Sequence, residues 1–421
     1  MEKIPIILTS GFLINHLILL LVQSLPFSLF TGGVISGCSL FWFFTRRRKE
    51  FIFDRNADFF PVVAIVFILI LYYFTILHDP LEDWDARSIW FFHARMIWSA
   101  ESLNLAAGWH HPSVQFSHVD YPKLIPALAA QISYVLGYWN EYTPKFSLFL
   151  ILIPPVFWIF SFYSRCFSFI FLLLVFPFGL TIYLCNGSMD GYIAFYSAIS
   201  VLLLGRYFKE HRMLDLMSAV SCLAMLSNIK NEGFLIVLAV IMSIAVTGIL
   251  SNTLKFDEFK KYFSLYLAGW LTVIITPCIL WSVFYKHIWN LMNDLQIGTA
   301  ESFIRMNNRL SDGVSFPLII KETFFHNESA VWLALTAFLV SIILLTILKR
   351  HILSWIPSLI TAVIYYCGIV IIYLMTPANL NWHLATSVQR TMLTVSSCMF
   401  AGIFFLLKEL ENAPGMGTYK K

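Results

Sequence analysis

The sequence predicts an all-α polytopic membrane protein of about twelve spans with both termini cytoplasmic, and three observations predict it. The first is composition: 59% of the 421 residues are hydrophobic, 17% aromatic and only 12% charged, a balance foreign to soluble globular domains. The second is the recurrence of apolar runs close to the length a bilayer demands. The third is the placement of Lys and Arg, which fall on alternate sides of those runs.

In chain order, apolar runs occur at about 5–25, 27–45, 59–77, 146–163, 167–185, 191–207, 214–229, 234–250, 263–285, 330–348, 352–374 and 391–407, each near the roughly 20 residues a crossing needs. A further run, Leu124–Gly137, is shorter and follows Tyr121-Pro122-Lys123. It reads as a juxtamembrane helix, because counting it as a crossing inverts every later loop. The first run follows Glu2-Lys3 without a small-residue cleavage site and reads as a retained span. With the N-terminus inside, the cytoplasmic segments carry Lys3, Arg46-Arg47-Arg48-Lys49, Arg55, Arg165, Arg206, Lys209, Arg212, Lys255, Lys260-Lys261, Lys349-Arg350, Lys408 and Lys420-Lys421. That is 18 of the 28 basic residues. Asp and Glu lean the other way. The expected organisation is a pair of spans with a basic loop (1–56), a main module (57–408) and a cytoplasmic tail (409–421). Large outer loops fall at 78–145 and 286–329.

The seven cysteines lack CxxC or Cys/His spacing, which argues against a disulfide framework and a zinc site. His110-His111, His118 and Asp120 are spaced too irregularly for a convincing ligand set. A divalent cation is the only cofactor the outer carboxylates suggest. There is no Walker loop, dinucleotide fingerprint or basic–aromatic stripe, so nucleic acid is not an expected partner. Asn186-Gly187-Ser188 and Asn327-Glu328-Ser329 match the glycan-acceptor pattern, which chance supplies often.

The unusual residues collect on the outer side. Asp79, Glu82, Asp83 and Asp85 crowd seven positions after the third run, more carboxylate than one helix cap requires. An amphipathic pattern follows, with Ile89, Phe92 and Met96 apolar and Arg87, His93 and Arg95 polar, as for a helix at the interface. Asp190 opens the sixth run, as a cap or as a second functional acid. Lys230-Asn231-Glu232-Gly233 is a tight turn whose Asn and Gly suit the backbone; Lys230 and Glu232 snorkel to water, or Lys230 instead meets an anionic lipid headgroup. Arg390 breaks the positive-inside trend at the outer edge of the last run, where a salt bridge or a phosphate would explain it. His383 precedes it by two helical turns.

At these residues the chain resembles polytopic glycosyltransferases of the GT-C superfamily, relatives of the protein O-mannosyltransferases and lipid A aminoarabinose transferases. The likeness rests on Asp83-Trp84-Asp85-Ala86-Arg87, Asp120-Tyr121-Pro122-Lys123-Leu124, Asp190, Lys230–Gly233 and Trp382–Arg390. It is an order of features across residues 57–408 rather than a strict signature. Two spans precede the one leading into the acidic loop, which departs from many members, and no soluble C-terminal domain is expected. The resemblance implies inverting transfer of a sugar from a polyprenyl-phosphate donor to a glycan, lipid or protein acceptor at the outer face of a bacterial inner membrane. It implies Asp85 as catalytic carboxylate with Asp83 its rival, Asp190 as second acid, and Lys230 and Arg390 on the leaving phosphate with His383 assisting. Glu82, Arg87, Glu232 and Lys123 are further site candidates. The competing readings are a transporter or flippase of lipid-linked sugars, a glycan polymerase or ligase, and a membrane scaffold with snorkelling charges.

Overall fold

The computed structural model describes residues 3–46, 55–80, 82–105, 108–162, 166–178, 180–250, 265–291, 293, 295–325, 331–348 and 353–411. Every regular element among them is helical, the one strand-like feature being an isolated bridge between Ser24 and Ser102. Most of the basic loop after the second run, the segment holding Lys255 and Lys260-Lys261, the Asn327–Ser329 sequon, Lys349-Arg350 and most of the tail lie outside the described residues.

Among the described residues, seven helices are long and apolar enough to cross a membrane: Ile4–Val22, Thr143–Phe160, Asp190–Glu210, Asn231–Leu250, Leu265–Ile288, Ile356–Met375 and Leu380–Glu411. This is the architecture of an integral membrane protein. Between them lie shorter apolar helices, Leu25–Ser39, Val62–His78, Leu124–Leu136, Phe167–Pro177, Met213–Ile229 and Val331–Ile347. We number the helices used below α1 (Ile4–Val22), α2 (Leu25–Arg46), α3 (Arg55–His78), α4 (Phe91–Ala100), α5 (Leu124–Leu136), α6 (Phe146–Phe160), α7 (Cys166–Leu173), α8 (Thr181–Cys185), α9 (Asp190–Glu210), α10 (Met213–Ile229), α11 (Asn231–Leu250) and α12 (Leu265–Ile288). The rest are α13 (Ala300–Ser311), α14 (Ser315–Phe325), α15 (Val331–Ile347), α16 (Ile356–Met375) and α17 (Leu380–Glu411).

α9 is the axis of the bundle. Apolar on nearly all sides, it is buried along almost its whole length, packed by α10, α17, α16, α6 and α11. Its C-terminal end is pinned by polar contacts. Arg206 pairs with Asp215 at the start of α10, donates to the Ser161 carbonyl and lies 4.5 Å over the Phe162 ring. Lys209 pairs with Glu409 near the end of α17.

Several sequence expectations change. The run 167–185 is not one helix: α7 ends in a π-helical turn, Leu174–Phe178, that contains Pro177, and α8 restarts at Thr181. Proline cannot donate to the helical ladder, and a π turn absorbs the break. The last run extends back to Leu380, so His383 and Arg390 share one helix. The segment 286–329, expected as an outer loop, includes α13 and α14. Arg305 and Arg309 of α13 donate to the carbonyls of Tyr373, Leu374, Met375, Thr376 and Ala378, closing the open C-terminus of α16. α5 measures about 20 Å at helical rise, short of the ~30 Å hydrocarbon core. It is buried among neighbours along most of its length rather than lying on the surface.

The amphipathic stretch after the acidic cluster is helical but out of phase with the expectation. Ala86–Trp90 form a π-helical turn, and the buried residues are Ile89, Trp90, Phe91, His93, Ala94 and Ile97. One extra residue per turn rotates the pattern, so His93 goes inside while Arg87 and Arg95 stay exposed.

The α10–α11 turn is built on a close approach. A Cβ on Gly233 would stand 1.9 Å from the Leu226 carbonyl oxygen, whereas one on Gly269 of α12 would meet nothing within 4 Å. Gly233→Ala is therefore expected to push the two helices apart and cost about 1–3 kcal/mol, lowering the unfolding midpoint in detergent. Gly269→Ala should hold or slightly raise it. Equal midpoints would remove the close approach as the reason for Gly233.

Candidate functional site

α9 begins at Asp190, α10 ends before Lys230, α11 begins at Asn231, and Arg390 lies in the first third of α17. α3 ends just before the acidic loop, and α12 ends beside Lys286. These helix ends meet at the end of the bundle opposite the Arg206–Asp215 and Lys209–Glu409 pairs.

There they form one ion-pair network. Asp190 Oδ1 accepts from Lys230 Nζ at 2.9 Å, and its Oδ2 lies 3.7 Å from Arg390 Nη1. Arg390 Nη1 also donates to Asp85 Oδ2 at 2.5 Å. Lys230 Nζ reaches Glu232 Oε1 at 3.0 Å. Asp85, Asp190, Lys230, Glu232 and Arg390 are thus brought together from four chain segments. Lys230 can face inward because its backbone is extended, φ −151° and ψ 156°, in the break between two helices. Burial opposes the charge on Lys230, but Asp190 and Glu232 outweigh it and hold the amine's pKa well above its ordinary value.

A second branch continues from the same turn. Asn231 donates to Asp120 Oδ2 at 2.7 Å and accepts from Lys286 Nζ at 2.9 Å, while Lys286 stands 3.6 Å from that carboxylate oxygen. The indole of Trp281 donates to the Asp120 carbonyl. Tyr121 stacks on Trp90 and on His118, with ring centroids 5.4 and 5.1 Å apart, and Lys230 Nζ lies 5.9 Å from its ring centre. Sequence reasoning left Lys286 out, yet the signal that marked Arg390 marks it too: a basic residue at the outer end of a span. Asp120 and Asn231 entered the sequence reading inside the segments that carry the resemblance, without a role in the site of their own.

The remaining candidates sit elsewhere or act differently. Asp83 accepts from the Asp85 amide at 2.9 Å and from Asn186 Nδ2 at 3.1 Å. Burial pushes its pKa up, against the pull of the Asp85 amide. Asp85 makes no side-chain cap, whereas Asp83, by accepting the Asp85 amide, fills the capping role that the sequence offered to either of them. Glu82 and Arg87 are exposed, and among the described residues the ion pairs of the network do not include either. His383 packs edge-on against Tyr373 at 5.0 Å, and the Tyr373 hydroxyl meets Ser387 and Thr391. It therefore neighbours Arg390 along α17 without touching a carboxylate.

Lys123 is corrected outright: it is a buried packing cation. Its Nζ donates to the Val119 carbonyl and to His93 Nδ1 and lies 4.4 and 4.9 Å over the rings of Trp109 and Trp281. Since His93 Nδ1 accepts that proton, Nε2 carries the imidazole hydrogen toward Ser117. Among the described residues no group of three or more His, Cys, Asp or Glu is arranged to hold a metal ion. Asp85 and Asp190 each already face a protein cation.

Burial, then the neighbouring Lys123, holds the His93 pKa well below its ordinary value, and burial does the same to Lys123. The folded state thus resists protons that the unfolded chain takes up below about pH 6.5. The His93 contribution is full above that point and falls as pH drops through it, while Lys123 adds a separate decline that begins at alkaline pH, near the unfolded lysine pKa of about 10.4. We expect the unfolding midpoint to decline from about pH 7 to about pH 5, and His93→Gln to flatten the decline. An equally steep fall in the variant would remove His93 as its source. Compared with known proteins, the chain matches no family model, no curated protein and no solved structure.

Proposed function

We propose that this chain is an integral membrane glycosyltransferase of the GT-C type, moving a sugar from a polyprenyl-phosphate donor to an acceptor hydroxyl at the non-cytoplasmic face. The observation that carries the reading is the Asp85–Arg390–Asp190–Lys230 network at one end of an apolar bundle. A donor of this class needs lipid around its tail, cations at headgroup level for its phosphate, and a carboxylate beside them for the acceptor. In this topology the seven long helices are joined as crossings by α2, α3, the broken α7–α8 segment, α10 and α15. α5 stays juxtamembrane, and the basic ends at Arg206 and Lys209 face the cytoplasm.

Arg390 occupies one oxygen of Asp85 through Nη1. Its Nε is buried and finds no hydrogen-bond partner among the described residues, and neither does Glu232 Oε2. A donor phosphate draws Arg390 off Asp85, since guanidinium grips phosphate oxygens in a planar fork. The freed Asp85 takes the proton of the acceptor hydroxyl as its oxygen attacks the anomeric carbon. The bond from that carbon to the phosphate oxygen breaks, the configuration inverts, and polyprenyl phosphate leaves with the charge that Arg390 and Lys230 neutralise. Asp190 holds both cations in place.

Purified protein offered a panel of polyprenyl-phosphate sugars should release free polyprenyl phosphate with at least one. A transporter would move the lipid without that release. With the accepted donor, Asp85→Asn should lose about 10³-fold or more in turnover, as expected of a removed general base with its electrostatic partner. Arg390→Ala should chiefly weaken donor use. Turnover unaffected by Asp85→Asn would overturn its role as the base.

A further inference from the structure

We infer that Asp83 and Asn186 form a clamp that positions Asp85, so that Asp83 is a positioning residue and not the base. This rests on the glycosyltransferase reading for its chemical meaning, but the clamp is a structural statement of its own. The hydrogen-bond chain has a fixed direction. The Ser188 amide donates to Asn186 Oδ1 at 2.9 Å, so the Asn186 amide nitrogen must point the other way. It donates to Asp83 Oδ2 at 3.1 Å, and Asp83 Oδ1 takes the backbone amide of Asp85 at 2.9 Å. Both Asp83 oxygens are therefore engaged in holding backbone and turn. Asp85 instead spends an oxygen on Arg390, the group that a substrate can displace.

Shape reinforces the clamp. Gly187 has φ +86°, and a Cβ there would stand 2.6 Å from the Ala86 side chain. The Asn186-Gly187-Ser188 turn thus lies directly against the residue after Asp85. The Asp83 carbonyl accepts from the Arg87 amide, and Ser88 Oγ donates to the Trp84 carbonyl, so the segment around Asp85 is tied internally as well. A turn that matched a glycan-acceptor pattern acquires a different purpose: it joins the start of α9 to the acidic loop. Asp190 is only two residues beyond Ser188, so the clamp fixes the two functional carboxylates relative to each other.

The clamp predicts an exchange experiment. Asp83→Asn alone brings two amide nitrogens face to face, and Asn186→Asp alone brings two carboxylates together. The double variant, Asp83→Asn with Asn186→Asp, keeps both backbone amides as donors, reverses only the bond between the two side chains, and leaves the net charge unchanged. Each single change should lower transfer about tenfold or more and speed backbone amide exchange over residues 84–91 by a similar factor, the effect of a lost charge-assisted hydrogen bond. Asn186→Ala, which adds no charge, should do the same. The double variant should return to within about threefold of the unmodified protein in both measurements, with its pH–rate profile unshifted. A double variant as inactive as Asp83→Asn would make Asp83 the chemical group and overturn the inference. Exchange over 84–91 untouched by the single changes would overturn it too. If no polyprenyl-phosphate sugar supports turnover in the unmodified protein, the glycosyltransferase reading fails and the exchange measurement still decides the clamp.

Discussion

Asp190 sits at the first position of the most buried helix in the molecule, between Lys230 on one side and Arg390 on the other. A carboxylate taken that far from water is costly unless its charge is met on the spot. The open amides at the start of α9 favour a negative charge, but a helix terminus contributes too little to hold a buried ion alone. The two cations supply the rest, and each comes from a different part of the chain. The α10–α11 turn must bring Lys230 to Asp190, and α17 must bring Arg390. Once Arg390 is there, it fixes Asp85. One burial problem therefore dictates how four separate segments meet.

Buried ion pairs alone do not mark a functional site, because the same bundle contains one at its other end. Arg206 and Asp215 are 5% and 1% exposed, closed in beneath Phe162 and the Ser161 carbonyl. The outer network differs in being reachable: Arg390 is 24% exposed, Lys286 23% and Glu232 17%. The inner pair pins helices together. The outer one offers charged groups that can trade partners without unfolding, which is what binding an anionic donor requires.

Much of this was legible in the sequence because membrane proteins penalise stray charge. Asp85, Asp190, Lys230 and Arg390 stood out as polar residues at the ends of apolar runs on one side, and the structure gathers those four. Their sidedness was readable; their pairing was not, since Asp85 and Arg390 lie about three hundred positions apart. The misreadings have local causes. A π turn at Ala86–Trp90 shifted the phase of the next helix and put His93 inside, a change invisible to 3.6-residue periodicity. Lys123 looked like a site residue because it lies in the Asp120–Leu124 segment that carries the resemblance, but two indole faces and a carbonyl hold it away from the network. Lys286 was missed, and Asp120 was not tied to Lys230, because their link runs through the Asn231 amide, and turn asparagines are usually read as backbone devices.

The Asn231 link also bears on how far the site extends. Lys230, Asn231 and Glu232 are consecutive, and each points to a different partner: Asp190, the Asp120–Lys286 pair, and back to Lys230 itself. A three-residue segment between two helices thus holds both branches in fixed relation. The tight passage of Gly233 past Leu226 is what allows α11 to begin so close to α10. Any shift of that turn would move Lys230 and the Lys286 branch together. The glycine that looked like a simple turn former is therefore part of the site's geometry, although it touches none of its charges.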